Sequence, residues 1–210
     1  MRVSNRIVLA SLNREKFEEF NHLLSSYGSI ELVPAEKLIR NPEGLQSVER
    51  YDTYFENALA KARLANHASH YPALADDSGI EVDALQGRPG VKSHRYATPK
   101  PQITQDQANR DLLLSELQSN ENRSARLCCT LVLVIEGVLL HSNGILEGTL
   151  TKAPKGIHGF GYDPIFVPQG ETQTLGEMTD EKKNLISHRA KALHELMLQL
   201  KTHGIVLAKP

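Results

Sequence analysis

The sequence has no tryptophan, only two cysteines and no long hydrophobic run. Cys128 and Cys129 are adjacent within an apolar segment, so we expect two buried thiols and no disulfide framework. The longest apolar run, residues 127–135, is about half as long as a membrane-spanning helix and contains a threonine. We therefore expect no membrane-spanning segment.

Near the N-terminus, Arg2 and Arg6 are followed only by the short apolar run at residues 7–10. A secretory signal needs a longer apolar stretch after its basic residues. We therefore expect no secretory signal and predict a cytoplasmic protein.

Neither sign of charge is in excess, since 24 lysines and arginines face 25 aspartates and glutamates. Binding to polymeric DNA or RNA depends on a cationic excess, so we exclude it as the main activity. A small nucleotide held by a few local cations stays possible. The length of 210 residues predicts one domain over residues 1–210, with room for two lobes that share a sheet.

Short apolar runs alternate with amphipathic segments along the chain, which predicts an α/β protein with a mixed sheet. Glu136 and Gly137 read as a hairpin turn between two strands. Residues 41–46 contain Pro42 and Gly44 and read as a loop. We predict strands at residues 7–10, 72–75, 80–85, 127–135, 138–141 and 145–151, and helices at residues 17–24, 53–68, 105–117 and 179–200, the last broken near Ser187.

The first candidate site is the segment from Ser11 to Lys16, where a strand leads into a helix. The free N–H groups and the positive dipole of a helix N-terminus attract anions. Lys16 is a cation in the first turn, which is unfavourable unless an anion binds there. The alternative is an ordinary cap formed by Ser11 or Asn13, with Lys16 paired to Glu19 on the surface. A Walker loop is excluded because its glycines are missing.

The second candidate site is residues 76–79, which we predict to form a turn after a buried strand. The adjacent carboxylates Asp76 and Asp77 repel each other and require a counter-charge. Mg²⁺ prefers oxygen ligands and could supply it, with Ser78 near a phosphate. Glu49 has no evident structural role and is the best additional ligand. The alternative is an Asx-type turn without a ligand.

The third candidate site is the glycine-rich loop at residues 156–164. Its glycines allow the backbone to approach a ligand closely. Phe160 and Tyr162 offer faces on which a planar base could stack, and Asp163 can accept hydrogen bonds from ring N–H groups. The alternative is a loop whose aromatic side chains fold back into the core.

The fourth candidate site comprises Lys183 and residues 187–189. If a helix begins at Ser187, His188 and Arg189 lie at its positive end, where an acceptor or an anion is favoured. The alternative is a polar helix surface, with His188 as a buried core histidine.

Together these segments resemble the Ham1/RdgB family of inosine triphosphate pyrophosphatases, also called XTP/dITP diphosphatases. The matching pieces follow the family's order and spacing through most of the chain. They are residues 11–13 with Lys16, Glu49, residues 55–58 with Lys61 and Ala62, residues 75–79, residues 89–91 with Ser93, Arg95 and Tyr96, residues 159–166, and residues 178–183 with residues 186–189.

The resemblance implies an α/β fold with a long, mixed, twisted β-sheet flanked by helices, in two lobes with a central cleft for the substrate (the ITPase-like or Maf–HAM1 fold). It implies Mg²⁺-dependent hydrolysis of the deaminated purine nucleotides ITP, dITP and XTP to the monophosphate and pyrophosphate. A homodimer is the usual assembly. The expected partner is a small-molecule nucleotide substrate, with no nucleic acid polymer and no membrane.

The resemblance also implies a role for each matching residue. Asp77 would be the proton acceptor, and Glu49 and Asp77 would bind Mg²⁺. Asp76 would support them, and Ser78 would touch the substrate. The remaining substrate contacts would come from Ser11, Leu12, Asn13, Arg14, Glu15, Lys16 and Lys61 at the phosphates, and from Phe160, Gly161, Tyr162, Asp163, Lys183, His188 and Arg189 at the base.

The sequence departs from the family pattern in the phosphate segment. Leu12 replaces a usual glycine, and Glu15 stands where glycine is frequent. These departures bear on substrate preference and rate more than on reaction class. Two other readings stay open, a Maf-like pyrophosphatase acting on dTTP, UTP or modified bases, and a nucleotide sensor without turnover.

Overall fold

A computed structural model describes residues 1–28 and 30–208. The six-stranded sheet has the order β3-β2-β4-β5-β6-β7, and β1 pairs with β8 in a second, parallel sheet. Strand β2 is parallel to β3 and β4, whereas β6 and β7 are antiparallel, so the predicted mixed α/β sheet is confirmed. The strands are β1 (Arg2–Ser4), β2 (Arg6–Leu9), β3 (Glu31–Pro34), β4 (Ala73–Val82), β5 (Ser124–Ile135), β6 (Val138–Leu150), β7 (Phe166–Pro168) and β8 (Val206–Ala208).

The helices begin and end close to the predicted positions. The break in the last predicted helix is confirmed, because Ser187 separates two helices. The described helices are α1 (Arg14–Ser25), α2 (Gly44–Ser47), α3 (Tyr54–Ser69), α4 (Gln105–Glu116), α5 (Asp180–Ile186) and α6 (His188–Thr202).

The described residues divide into two compact units. Unit 2 consists of Ser78–Cys128 and Ile145–His188, and unit 1 contains the rest of the described chain. Three boundaries fall within the long strands β4, β5 and β6, and the fourth falls between the first two residues of α6. Each unit has its own hydrophobic core.

In unit 1, successive side chains of one strand enter two different cores. Ile7 and Leu9 of β2 pack with α1 and α6, whereas Val8 packs with α3. Consecutive side chains of a strand point to opposite faces, so β2 is covered on both faces. The same alternation in β4 places Leu74 in the first core and Ala75 in the second.

In unit 2, α4 packs its leucines against the sheet. Leu113 and Leu117 are fully buried among Ile80, Leu127 and Phe166. Thr104 caps the helix by accepting a hydrogen bond from the Gln107 N–H. These contacts fix α4 independently of its polar face.

The predicted turn at residues 76–79 is wrong, because these residues lie inside the continuous strand β4. Adjacent acids in a strand point to opposite faces, so Asp76 and Asp77 do not confront each other as they would in a turn. Asp76 shares its face with Leu74, and Asp77 shares its face with Ala75. Each carboxylate has its own cationic partner there, and no chain reversal is needed.

Two smaller expectations also differ from the structure. Residues 138–141 and 145–151 were expected as separate strands, but β6 runs without interruption from Val138 to Leu150. The loop expected at residues 41–46 contains the start of the short helix α2. The turn at Glu136 and Gly137 is confirmed, and Gly137 has the positive φ of 74° that such a turn requires.

No helix within residues 1–28 and 30–208 combines the length and apolar character needed to cross a membrane. Cys128 and Cys129 are both buried and both free, as expected.

Candidate active site

The first candidate site forms the start of α1. The Asn13 side chain caps the helix by accepting a hydrogen bond from the Lys16 N–H at 2.8 Å. Ser11 accepts a hydrogen bond from the Asn13 N–H at 3.2 Å. Both residues therefore shape the backbone of the segment.

The alternative interpretation, in which Lys16 pairs with Glu19 on the surface, is wrong. The Lys16 ammonium group lies 2.9 Å from Asp76 Oδ1. Glu19 instead contacts Arg189, with 3.1 Å between Oε2 and Nη1. Lys16 is thus half-buried and aimed at β4.

Asp76 is completely buried between two cations. Besides Lys16, the Arg189 Nε atom lies 3.5 Å from its Oδ2 atom. Burial alone would raise the pKa of Asp76, but the charges of Lys16, Arg189 and Lys61 hold that pKa well below its ordinary value. Asp76 is therefore an ionised anchor for the cations around it.

Asp77 points to the opposite face of β4 and contacts α3. Asn57 donates a hydrogen bond to Asp77 Oδ2 at 3.1 Å, and the Lys61 Nζ atom lies 3.3 Å from Oδ1. Burial raises the pKa of Asp77, and the charges of Glu49 and Asp76 add to this effect, whereas Lys61 opposes it. A carboxylate with a raised pKa is suited to accept a proton near neutral pH.

Lys61 joins the two carboxylates that the resemblance assigns to Mg²⁺. Its Nζ atom lies 2.6 Å from Glu49 Oε1 and also donates to the Asp76 carbonyl oxygen at 2.6 Å. Burial alone would lower the pKa of Lys61, but Asp77, Glu49 and Asp76 raise it. The ammonium group therefore stays charged in this buried place.

The donor chemistry at Glu49 and Asp77 fits Mg²⁺. Both carboxylates already face one cation, the Lys61 ammonium. Mg²⁺ is commonly held by one or two carboxylates together with substrate phosphates. Within the described part of the chain, no group of three or more His, Cys, Asp or Glu side chains is placed to hold a metal.

Asn57 is a site residue to which the sequence assigned no role. It is buried and also exchanges two hydrogen bonds with the Tyr51 backbone, at 3.0 and 3.1 Å. The side chain thus ties the segment after Glu49 to Asp77. A signal was present in the sequence, since a polar residue at the buried position between Phe55 and Ala58 requires hydrogen-bond partners.

In unit 2, Asp163 of the glycine-rich loop forms a buried ion pair with Lys183 of α5. Lys183 Nζ lies 2.7 Å from Asp163 Oδ2 and 4.8 Å from the centre of the Phe160 ring. The Phe160 N–H donates to the same carboxylate oxygen at 2.9 Å. The third candidate site and part of the fourth therefore come together in one unit.

Tyr162 belongs to the hydrophobic core of unit 2. For this residue the structure agrees with the alternative interpretation, in which the aromatic side chains of the loop fold back into the core. The Tyr162 hydroxyl donates a hydrogen bond to the Ser93 carbonyl oxygen at 2.8 Å. Tyr162 is buried, whereas Phe160 is half-buried. Of the two rings, Phe160 is thus the one that remains accessible for stacking.

The other predicted residues differ in accessibility. His188 is buried at the first position of α6, and Ser78 is half-buried within β4. Arg14 and Glu15 are exposed in the first turn of α1, where Arg14 pairs with Glu18 at 2.8 Å. Leu12, the residue that replaces the family's glycine, packs against the core next to α3.

Gly159 gives a test of the Asp163–Lys183 pair. Its φ is +69°, and an added Cβ would lie 2.1 Å from Asp163 Oδ2. Gly161 has a similar φ of +59° but open space at the Cβ position, so it is the matched control. We expect Gly161→Ala to cost about 1–2 kcal/mol for the left-handed backbone. Gly159→Ala should cost about 2–3 kcal/mol, because it also displaces a buried, charged hydrogen-bond acceptor.

Urea unfolding of both glycine variants and the wild type measures these differences in the free energy of unfolding. Equal losses for the two variants would contradict the contribution assigned to the Asp163–Lys183 pair.

Comparison with known proteins agrees with the sequence resemblance. The Ham1 family model matches residues 7–199. A dITP/XTP pyrophosphatase of Frankia alni is 41% identical over 93% of this chain and 97% of its own length. One of Bordetella parapertussis is 43% identical over 96% of this chain and 93% of its own.

A solved structure shows the same fold. The HAM1 protein from Coxiella burnetii superposes with a TM-score of 0.78 at 37% identity, covering 94% of this chain and 98% of that one. Since the family model spans both units and the relatives align along nearly the whole chain, this chain belongs to the Ham1 family.

Proposed function

We propose that this chain hydrolyses the deaminated purine nucleotides ITP, dITP and XTP to the nucleoside monophosphate and pyrophosphate, using Mg²⁺. The observation that carries the proposal is the buried carboxylate of Asp77, fixed by Asn57 and Lys61 and facing Glu49 across the Lys61 ammonium. The relatives in Frankia alni and Bordetella parapertussis, which align along nearly the whole chain, are named dITP/XTP pyrophosphatases.

In the proposed reaction, Asp77 accepts a proton from the attacking water. The oxygen of that water forms a bond to phosphorus, and the anhydride bond between the α and β phosphates breaks. The leaving group is pyrophosphate when the α phosphorus is attacked. General base catalysis of this kind contributes about 10²–10⁴-fold to the rate.

Glu49 and Asp77 would hold Mg²⁺ through their carboxylate oxygens. When bound, Mg²⁺ neutralises phosphate charge and orients water. Lys61 would keep the two carboxylates in place, and Lys16 and the start of α1 would bind the phosphates. Asp76 would hold Lys16 in position, since the two are 2.9 Å apart.

The loop at residues 160–163 would bind the purine. The exposed side of the Phe160 ring offers a stacking surface, and Lys183 is the nearest cation to it. Hypoxanthine and xanthine carry an acceptor oxygen where adenine carries an amino group. A donor such as Lys183 or His188 would pair with that oxygen and would leave adenine mispaired.

Arg189 has a place in this scheme that the resemblance alone did not suggest. Its guanidinium contacts the carboxylates of Glu19 and Asp76. These contacts support a role in holding Asp76, while a contact with the base stays a prediction.

Release of pyrophosphate from a panel of ITP, dITP, XTP, GTP, ATP and dTTP, with and without Mg²⁺, tests the proposal. We expect ITP, dITP and XTP to have a kcat/KM about 10⁴-fold or more above that of ATP, because a mispaired buried polar group discriminates by that order. We expect no turnover when Mg²⁺ is removed with a chelator.

Other outcomes of the same panel would contradict the proposal. Preference for dTTP would indicate a Maf-like pyrophosphatase. Binding of ITP in calorimetry without release of pyrophosphate would indicate a nucleotide sensor.

The proposal extends to the setting of the reaction, a homodimer in the cytoplasm. The homodimer rests on the family resemblance. The two free, buried thiols Cys128 and Cys129 suit a reducing compartment. Light scattering after size-exclusion chromatography measures the oligomeric state, and a monomeric mass would contradict the dimer.

A further inference from the structure

Two side chains of helix α4 form hydrogen bonds with the backbone of one residue in the glycine-rich loop, one with its N–H and one with its carbonyl oxygen. The Gly161 N–H donates a hydrogen bond to Asp106 Oδ2 at 2.7 Å. The Gly161 carbonyl oxygen accepts a hydrogen bond from Arg110 Nη1 at 2.5 Å. Asp106 and Arg110 are four residues apart and therefore lie on one face of the helix.

The backbone N–H and carbonyl of Gly161 depend on hydrogen-bond partners outside the turn in which this residue lies. The Asp163 N–H donates to the Phe160 carbonyl oxygen at 3.1 Å, which closes a tight turn over residues 160–163. Gly161 follows Phe160 in that turn with a φ of +59°. Its own N–H and carbonyl take no part in closing the turn, so another group has to satisfy them.

We propose that Asp106 and Arg110 are positioning residues that set the orientation of the base-binding turn, an inference that rests on the proposed function. The turn carries Phe160 at one end and Asp163 at the other, and Asp163 holds Lys183. Rotation of the two peptide units that flank Gly161 would displace both ends of the turn. The purine would then meet its stacking ring and its hydrogen-bond partners in the wrong geometry.

The two side chains differ from ordinary helix-surface residues in what they hold. The Asp106 carboxylate accepts from the Gly161 N–H, and the Arg110 guanidinium donates to the Gly161 carbonyl oxygen, so both hydrogen bonds are charge-assisted. The N–H and the carbonyl of Gly161 belong to the two planar peptide units that flank its Cα, so the two contacts together restrict both backbone dihedrals of Gly161. A single contact of either kind would hold only one of the two units.

The position of α4 does not depend on these two hydrogen bonds to Gly161. Helix α4 is held by Leu113 and Leu117 in the core and by its Thr104 cap. Removing Asp106 or Arg110 should therefore leave α4 in place and release only the turn.

The experiment compares Asp106→Ala and Arg110→Ala with two controls in unit 2. Asp111→Ala removes an exposed acid from the same helix. Arg123→Ala removes a half-buried arginine that also donates to backbone carbonyls, those of Leu150 and Thr151, away from residues 160–163. The conservative variants Asp106→Asn and Arg110→Lys retain an acceptor and a donor, respectively.

Steady-state kinetics with ITP and ATP is the first readout. We expect Asp106→Ala and Arg110→Ala to lower kcat/KM for ITP about 10- to 100-fold, mainly by raising KM. ATP can stack on Phe160 but lacks the acceptor oxygen of ITP, so it loses only the stacking contribution and we expect its kcat/KM to change by less than about threefold. The ratio of kcat/KM for ITP to kcat/KM for ATP should therefore fall in both alanine variants. This ratio should be partly restored in the conservative variants and unchanged in both controls.

Hydrogen exchange of the Gly161 amide is the second readout and needs no nucleotide. We expect it to exchange slowly in the wild type and much faster in Asp106→Ala. If the Gly161 amide exchanges at the same rate in both proteins, the result would contradict the hydrogen bond from this amide to Asp106.

The remaining outcomes separate the two proposals. A wild type without preference for ITP over ATP overturns the proposed function, and with it the base-binding role of the turn. A wild type with that preference overturns only the positioning role if Asp106→Ala and Arg110→Ala retain the full preference. The same holds if Arg123→Ala, which is expected to lower stability alone, reduces the preference as much.

Discussion

Replacing Asp77 with asparagine is expected to lower kcat for ITP by about 10²–10⁴-fold, because the amide cannot accept the proton of the attacking water. We expect this variant to fold normally, because most contacts around position 77 are retained. Asn57 can still donate to the remaining side-chain oxygen, and Lys61 keeps its contacts with Glu49 and the Asp76 carbonyl. The effect should therefore fall on turnover and not on folding.

Three measurements on Asp77→Asn check this expectation. They are pyrophosphate release, calorimetric binding of ITP and the midpoint of urea unfolding. Asp52→Asn is the matched control, since Asp52 is an exposed acid of the same unit. A variant at position 77 that retains near-normal turnover would remove Asp77 from the role of proton acceptor.

Replacing Asp76 with asparagine is expected to cost about 3–5 kcal/mol in the free energy of unfolding, the usual result of breaking a buried ion pair from one side. Asp76 is fully buried between Lys16 and Arg189, and the neutral amide would leave Lys16 without its carboxylate. Glu18→Gln is the matched control, because Glu18 pairs with Arg14 on the surface. An exposed pair contributes only about 0–1 kcal/mol.

The pH dependence of stability gives a second test at Asp76. A carboxyl whose pKa is lowered by folding stabilises the protein above its unfolded-state pKa of about 3.9, and this contribution is lost as the pH falls towards the folded pKa. The cations around Asp76 lower its pKa. The wild type should therefore lose stability below about pH 4, and Asp76→Asn should lose less over the same range. Parallel curves for the two proteins would contradict the assignment.

The longer helices and the strands β2, β4, β5 and β6 could be predicted because their signals are local, whereas the short strands β1, β3, β7 and β8 were not predicted. The spacing of Phe20 and Leu24 and the cap at Thr53 are both visible within one or two turns of chain, and the structure confirms them. The break at Ser187 was predictable for the same reason.

The partners of the charged residues could not be predicted, since they depend on contacts between distant segments. Arg189 contacts Glu19, which lies 170 positions earlier in the chain. Lys16 was expected to have a neighbour on its own helix and instead contacts β4. A spacing rule along the helix cannot choose between a surface partner and a buried one, because the burial of Asp76 is a property of the folded sheet.

The error at residues 76–79 has a more instructive cause. The strand was taken to stop before Asp76, and the two acids were taken to repel each other and to require a shared counter-charge, although alternation along a continuous strand separates them. The apolar residues before them carried the same information, since Leu74 and Ala75 enter different cores. Extending that alternation by two residues assigns Asp76 and Asp77 to opposite faces.

This division of β4 makes the strand intolerant of a change in length. A strand that slips by one residue exchanges its two faces. Deleting one residue ahead of Asp76 would direct the Asp76 carboxylate towards Asn57 and the Asp77 carboxylate towards Lys16 and Arg189. One peptide bond thus separates the carboxylate that is expected to stabilise the fold from the carboxylate that is proposed to accept the proton. An insertion or deletion in this strand would exchange the two, whereas a substitution would not.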